Sequence, residues 1–133
     1  MEDDDSAIHT LLRTWHEATA AGDVARILPL MAEDVVFLGA GRAPMRGRRA
    51  FEQGLRTLLT HSRIDSRGEV REIVVSGDLA YCWSELSVKV TPIGGGAATH
   101  LAGPALSILR KRDGAWAIVR DANMLAPRAA RMP

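Results

Sequence analysis

At 133 residues with 47% hydrophobic content, the chain has room for one domain that buries roughly two-thirds of the surface its unfolded form exposes, and none for a second. Seventeen Lys and Arg against sixteen Asp and Glu leave a net charge of +1, which gives no overall positive field to attract nucleic acid or anionic lipid. The single cysteine, Cys82, excludes an intramolecular disulfide framework and a multi-cysteine metal site. No apolar run reaches the ~18–20 residues of a membrane span, and the acidic Glu2-Asp3-Asp4-Asp5 start is the opposite of a signal peptide's basic one. These features set the expectation of a cytoplasmic protein in a reducing compartment.

Residues 1–5 form an acidic lead-in, whose last members favour a helix N-terminus electrostatically. Ser6 is the expected N-cap of a helix over residues 7–21, because Ile8, Leu11, Leu12, Trp15 and Ala18 recur at spacings of three and four on one face. Gly22 ends that helix, and Asp23 caps a second one carrying Val24, Ile27, Leu28, Leu30 and Met31. Pro29 lacks an amide proton, so this second element is short or kinked. Val35 to Leu38 reads as a first strand, closed by Gly39-Ala40-Gly41 and Pro44. A third helix starts near Arg48, carries Phe51, Leu55, Leu58 and Leu59, and stops near His61.

The period then changes. Residues 69–76, 79–91, 98–111 and 115–125 are rich in Val, Ile, Leu and Trp, and they are separated by Ser76-Gly77-Asp78, Pro92 to Gly96, and Asp113-Gly114. Asp-Gly between alternating strands is a strong hairpin signal. Three helical segments followed by consecutive strands imply an α+β domain with an antiparallel sheet. The domain is expected over residues 6–126, with 127–133 as a mobile C-terminal tail.

Two end signatures carry a family likeness. Trp15, Ala21-Gly22-Asp23 and the run Ala32 to Phe37 lie near the start, and Arg112-Asp113-Gly114-Ala115-Trp116 runs into Ala117 to Asn123 near the end. Together they resemble the SnoaL-like branch of the nuclear transport factor 2-like superfamily over roughly residues 6–125. The resemblance implies a cone of three helices packed on a curved antiparallel sheet, a ligand-binding cavity between them, and a homodimer. It leaves the reaction open, since one fold hosts many chemistries.

Period-2 alternation along the last strand places Trp116, Ile118, Arg120 and Ala122 on one face and Ala117, Val119, Asp121 and Asn123 on the other. The resemblance turns the end of this strand toward the cavity, which makes Asp121 and Asn123 the leading catalytic candidates. Enclosure by Trp15 and aliphatic side chains would raise the Asp121 pKa toward the range useful for proton transfer. The alternative is that Asp121 pairs with an arginine and Asn123 caps the strand end. His100, at the start of a strand, is a third acid–base candidate, against a plain exposed strand-end histidine.

Trp15, Phe37, Trp83 and Glu85 are the candidate substrate-binding residues. Trp15 stands where ketosteroid isomerases of the superfamily carry a phenolic donor, and Gly39 where they place an aspartate base, so both parts of that proton shuttle are missing here. Tyr81, Trp83, Glu85, Ser87 and Lys89 share one strand face and Cys82, Leu86, Val88 and Val90 the other. Either the first face is an outer, interface-forming surface, or Trp83 and Glu85 line the pocket.

His9, His16, His61 and His100 show no ligand spacing, so no metal is expected, and His16 points about 100° around its helix from Trp15, toward solvent. Gly94-Gly95-Gly96 lacks the ending of a phosphate loop and reads as a flexible turn. Arg42, Arg46, Arg48 and Arg49 either hold an anionic ligand or form solvated surface pairs. No dinucleotide fingerprint is present, so no cofactor is expected. The resemblance thus implies a protein that binds a small apolar or carbonyl-bearing, polyketide-like molecule and, if it is an enzyme, one that works by cofactor-independent acid–base chemistry of isomerase or cyclase type. Its alternatives are a non-catalytic binding or dimerisation module and a hydrolase or dehydratase using pocket water, with His100 or Glu85 as the second group.

Overall fold

The computed structural model describes residues 3–128. Helix α1 runs Asp4–Ala21, three residues longer at its start than the apolar stripe suggests, because Asp3 rather than Ser6 is the N-cap. The Asp3 carboxylate accepts the Ser6 amide at 2.8 Å, and Asp4 and Asp5 then sit in the first turn, where acidic side chains oppose the helix dipole. Asp4 is fixed further by Lys111 Nζ and Trp116 Nε1, each donating to its Oδ1 at 3.0 Å. Gly22 closes α1 in the left-handed conformation.

Asp23 caps α2, Val24–Ile27, and Pro29 converts the continuation into a 3-10 turn, Leu28–Leu30, so the expected break falls where the missing amide puts it. Strand β1 follows at once as Met31–Gly39, with Met31 in the strand rather than on the helix. After the two-residue β2, Met45–Arg46, helix α3 spans Arg48–His61. The long strands are β3, Ser62–Ser76, β4, Leu79–Pro92, β5, Thr99–Arg112, and β6, Ala115–Asn123. Asp113 and Gly114 both take positive φ, 52° and 79°, which is what a two-residue hairpin turn between β5 and β6 requires.

The sheet order is β2-β1-β6-β5-β4-β3. All of its pairings are antiparallel except one: β1 joins β6 in parallel, which brings the N-terminal strand back beside the last one. Part of the expected tail is paired, since Ala126–Pro127 forms β7 against Leu101 and Ala102 of β5, while residues 129–133 of that tail lie outside the described residues.

The core lies between α1, α2 and the inner face of the sheet. Ile8, Ile27, Met31, Val35, Cys82 and Leu109 are its most enclosed side chains. Each fully buried aliphatic side chain contributes about 1.5–3 kcal/mol by leaving water. This packing fills only one end of the space under the sheet. At the other end α3 presents Phe51, Gly54, Leu55 and Leu58 to a cavity, which is why no residue of that amphipathic helix is fully buried. Among the described residues, no helix is long and apolar enough to cross a membrane.

Candidate functional site

The cavity holds about 490 Å³ between α1, α3 and the inner sheet face, within the size range of small-molecule sites. One wall is aromatic. Phe37 of β1 stacks on Phe51 of α3 at 4.9 Å between ring centroids, and Trp15 of α1 tilts against both at 6.3 and 5.5 Å. Ile64, Leu86, Val88 and Leu125 supply aliphatic surface opposite. Against this apolar lining stand a few polar groups, of which Asp121, Asn123 and His16 can do acid–base or hydrogen-bonding work.

Asp121 reaches the cavity because β6 is not regular. Ile108 pairs with Arg120 but Leu109 pairs with Ile118, so Val119 has no opposite number and forms a bulge. Trp116 and Ile118 pack into the core, and strict alternation from them would turn Arg120 inward and Asp121 outward. The extra residue reverses the phase. Asp121 and Asn123 therefore do share a face, as expected, but it is the face of Trp116 and Ile118, not that of Ala117 and Val119. Arg120 points away and is tied to the carbonyls of Asp34 and Val119 at 3.1 and 2.6 Å.

Among the described residues, no arginine bonds to Asp121. Its Oδ2 accepts a 2.6 Å hydrogen bond from Ser107 Oγ, and Ser107 in turn sits opposite Cys82 across β4 and β5. Crowding by protein atoms pushes the Asp121 carboxyl above its ordinary value, with the Ser107 hydroxyl opposing part of that shift. The same enclosure, reinforced by the Asp121 charge, pushes the Cys82 thiol up to about 11. Asn123 Oδ1 accepts the Leu125 amide at 3.4 Å, so the expected strand-end role is present, and the side-chain NH2 remains available to the cavity that Asn123 lines.

A search of family models matches the SnoaL-like domain over residues 12–119. The chain belongs to the SnoaL-like family. Among solved structures, a conserved protein from Planctomyces limnophilus is 39% identical, covers 94% of this chain and 98% of its own, and superposes with a TM-score of 0.90. A ketosteroid isomerase-like protein from Erwinia carotovora atroseptica, at 22% identity, covers 94% and 98% with a TM-score of 0.80. A hexachlorocyclohexane dehydrochlorinase, at 16%, covers 96% and 90% with a TM-score of 0.79. The last two share the fold. No functionally curated protein matches the chain.

Within this SnoaL-like domain the candidate residues divide. Asp121, Asn123, Trp15 and Phe37 come together on the cavity wall. His100, Trp83 and Glu85 do not. Ala80, Cys82 and Ser84 are the buried positions of β4, which turns the alternating Trp83 and Glu85 to the outer face. His100 pairs with Lys89 on that same outer side and is exposed. The two groups expected to assist Asp121 in pocket-water chemistry are thus on the wrong side of the sheet.

The residue that the sequence reading turned outward is His16. Its Nδ1 lies 2.7 Å from Ser66 Oγ of β3, and its ring lines the cavity. Burial lowers its pKa, so the neutral imidazole is favoured. Leu12, His16 and Thr19 continue the inner stripe at spacings of four and three, a signal hidden when the face is drawn one residue too narrow. Of the four clustered arginines, Arg48 is bound to Glu33 at 3.2 Å and to the Met31 carbonyl at 3.4 Å, Arg46 and Arg49 are exposed, and Arg42 lines the cavity rim. Among the described residues, no three His, Cys, Asp or Glu side chains gather as metal ligands.

Proposed function

We propose that this SnoaL-like protein is a cofactor-independent acid–base enzyme acting on a small, largely apolar molecule that carries a carbonyl group. The reading rests on Asp121, an enclosed carboxyl that has no cationic partner among the described residues and faces a cavity otherwise lined mainly by aromatic and aliphatic side chains. Burial favours the protonated form of this carboxyl, which can donate its proton to a developing enolate oxygen. Asn123, with its amide NH2 available, adds a second donor to the same oxygen. His16, neutral and in the same cavity, takes the carbon-bound proton next to the carbonyl; with Nδ1–H directed at Ser66 Oγ, Nε2 is the free base. Return of the proton from His16 to a different carbon, as Asp121 takes back the oxygen-bound proton, completes an isomerisation.

A dehydratase reading draws on the same pair, with Asp121 protonating a departing hydroxyl, and it is favoured over hydrolysis by His100 or Glu85 because His16 lines the same cavity as Asp121. The non-catalytic reading loses its distinguishing mark, an Asp121–arginine pair.

The test is exchange of the α-protons of a two-ring ketone such as α-tetralone in heavy water, followed by NMR. The protein accelerates exchange, and Asp121→Asn reduces the acceleration by about 10²–10⁴-fold with an unchanged circular dichroism spectrum. Undiminished exchange by the variant removes Asp121 from the chemistry.

The outer face supports assembly of two copies. Val74 and Tyr81 pair across β3 and β4, Trp83 and Leu106 across β4 and β5, and Val74, Tyr81 and Leu106 are about 40% exposed, at 40%, 38% and 38%. An apolar patch of this kind on one sheet face is suited to a second copy of the chain. Light scattering on the wild type should give twice the chain mass, and Leu106→Arg should give the chain mass; a monomeric wild type at micromolar concentration refutes the dimer.

A further inference from the structure

The cavity rim carries one group that acid–base chemistry leaves unused. Arg42 lies in the loop between β1 and β2, whose pairing of Phe37 with Met45 brings the loop over the open end of the cavity. Its stem folds back along the sheet rather than away: Arg42 Cδ is 3.7 Å from where a Cβ on Gly39 would stand, and Gly39 pairs with Asn123 across β1 and β6. Of the neighbouring arginines, Arg48 is held by Glu33 and Met31, while Arg46 and Arg49 are exposed and do not line the cavity. The Arg42 guanidinium has no side-chain hydrogen bond or ion pair among the described residues, and the cavity carboxyl of Asp121 bonds to Ser107 instead.

We infer that Arg42 is a specificity residue that binds a carboxylate of the ligand, so that the molecule taken by the cavity is a ring-bearing organic acid whose anionic end sits at the rim. This rests on the reading of the cavity as a small-molecule site. Three titratable side chains line the cavity, His16, Arg42 and Asp121. Burial shifts the first and the last toward their neutral forms, whereas Arg42, exposed at the rim, carries a permanent charge beside an apolar lining. A planar guanidinium offers two parallel donors that match a carboxylate. A single planar fork matches the two oxygens of one carboxylate. The aromatic wall of Trp15, Phe37 and Phe51 then packs the ring, and the carbonyl or hydroxyl to be processed falls between rim and floor, at Asn123 and Asp121.

The experiment is calorimetric titration with 2-naphthoate and its neutral isostere 2-naphthamide. The wild type binds the carboxylate about tenfold more tightly, equivalent to about 1.4 kcal/mol. Arg42→Gln erases that preference by weakening naphthoate alone, and Arg42→Lys keeps part of it. Equal affinities in the wild type, an equal loss of both ligands in Arg42→Gln, or no naphthoate binding at millimolar concentration each overturn the inference. Asp121→Asn titrated in parallel separates the two readings: retention of the naphthoate preference with undiminished proton exchange defeats only the catalytic role, and loss of exchange without any preference defeats only the role of Arg42.

Discussion

Replacing Gly103 by alanine tests how the cavity is closed. Gly103 lies on β5 with φ at 157°, and a Cβ there would stand 2.8 Å from the Met124 carbonyl carbon, 3.3 Å from Leu125 Cα, and closer still to Met124 O. These are backbone atoms, so no side-chain rotation relieves the clash. The segment beyond β6 passes this close because Met124 N bonds to Pro104 O at 2.8 Å and β7 then pairs with β5. A backbone conformation suited to glycine costs a substituted residue ~1–3 kcal/mol, and overpacking adds ~1–3 kcal/mol. Together they remove about 2–6 kcal/mol from a total stability of ~5–15 kcal/mol. With a urea dependence of ~1–3 kcal/mol per molar, the unfolding midpoint falls by at least about 0.7 M. The displaced segment also carries Leu125, a cavity-lining residue, and the amide that holds Asn123, so α-tetralone affinity falls as well. Gly94→Ala is the control, since nothing lies within 4 Å of its Cβ position. A Gly103→Ala midpoint within about 0.3 M of wild type would refute the described passage of residues 124–125 over β5.

Asp121→Asn should stabilise the protein at pH 8. The folded carboxyl binds its proton more tightly than the unfolded chain does, so stability falls as pH rises from the unfolded value near 3.9 through the raised folded value; asparagine escapes that loss, and thermal melts of variant and wild type should converge below about pH 4. A variant less stable than wild type at pH 8 contradicts this sign. Cys82, buried and with its thiol pushed up to about 11, should resist iodoacetamide at pH 8 and react only on unfolding; rapid alkylation of the native protein would place it elsewhere. Gly68→Ala brings a methyl to 2.9 Å from His16 Nε2 and 3.0 Å from Leu86 Cδ2. It should displace the imidazole from Ser66, visible as a changed His16 ring proton shift, and slow α-proton exchange with little loss of stability.

Where sequence and structure agree, the determinants are local. Gly22, Asp23 and Pro29 punctuate the first two helices by their own backbone chemistry, and Asp113-Gly114 sets a hairpin for the same reason. What escaped the sequence depends on neighbours distant along the chain. The first half of β3 alternates Ile64, Ser66 and Gly68 inward with Arg63, Asp65 and Arg67 outward; the inner positions look polar because one holds His16 and the next leaves room for it. The Val119 bulge is set by the β5 and β1 registers, and no residue type announces it. The shared face of Asp121 and Asn123 is legible because the bulge precedes them and leaves their mutual spacing intact. Trp83 and Glu85 were ambiguous because both faces of β4 carry large residues, and burial of Ala80, Cys82 and Ser84 decides between them.

The proposed role of Asp121 as an acid on the wall of an apolar cavity is tested most directly by carbon-13 labelling of aspartate, with the Asp121 carboxyl assigned by comparison with Asp121→Asn and followed through a pH titration by NMR. Its midpoint should lie clearly above that of an ordinary aspartate, and higher still when Ser107→Ala removes the hydrogen bond that favours the anion. A midpoint at or below the ordinary value of about 3.9 would contradict it.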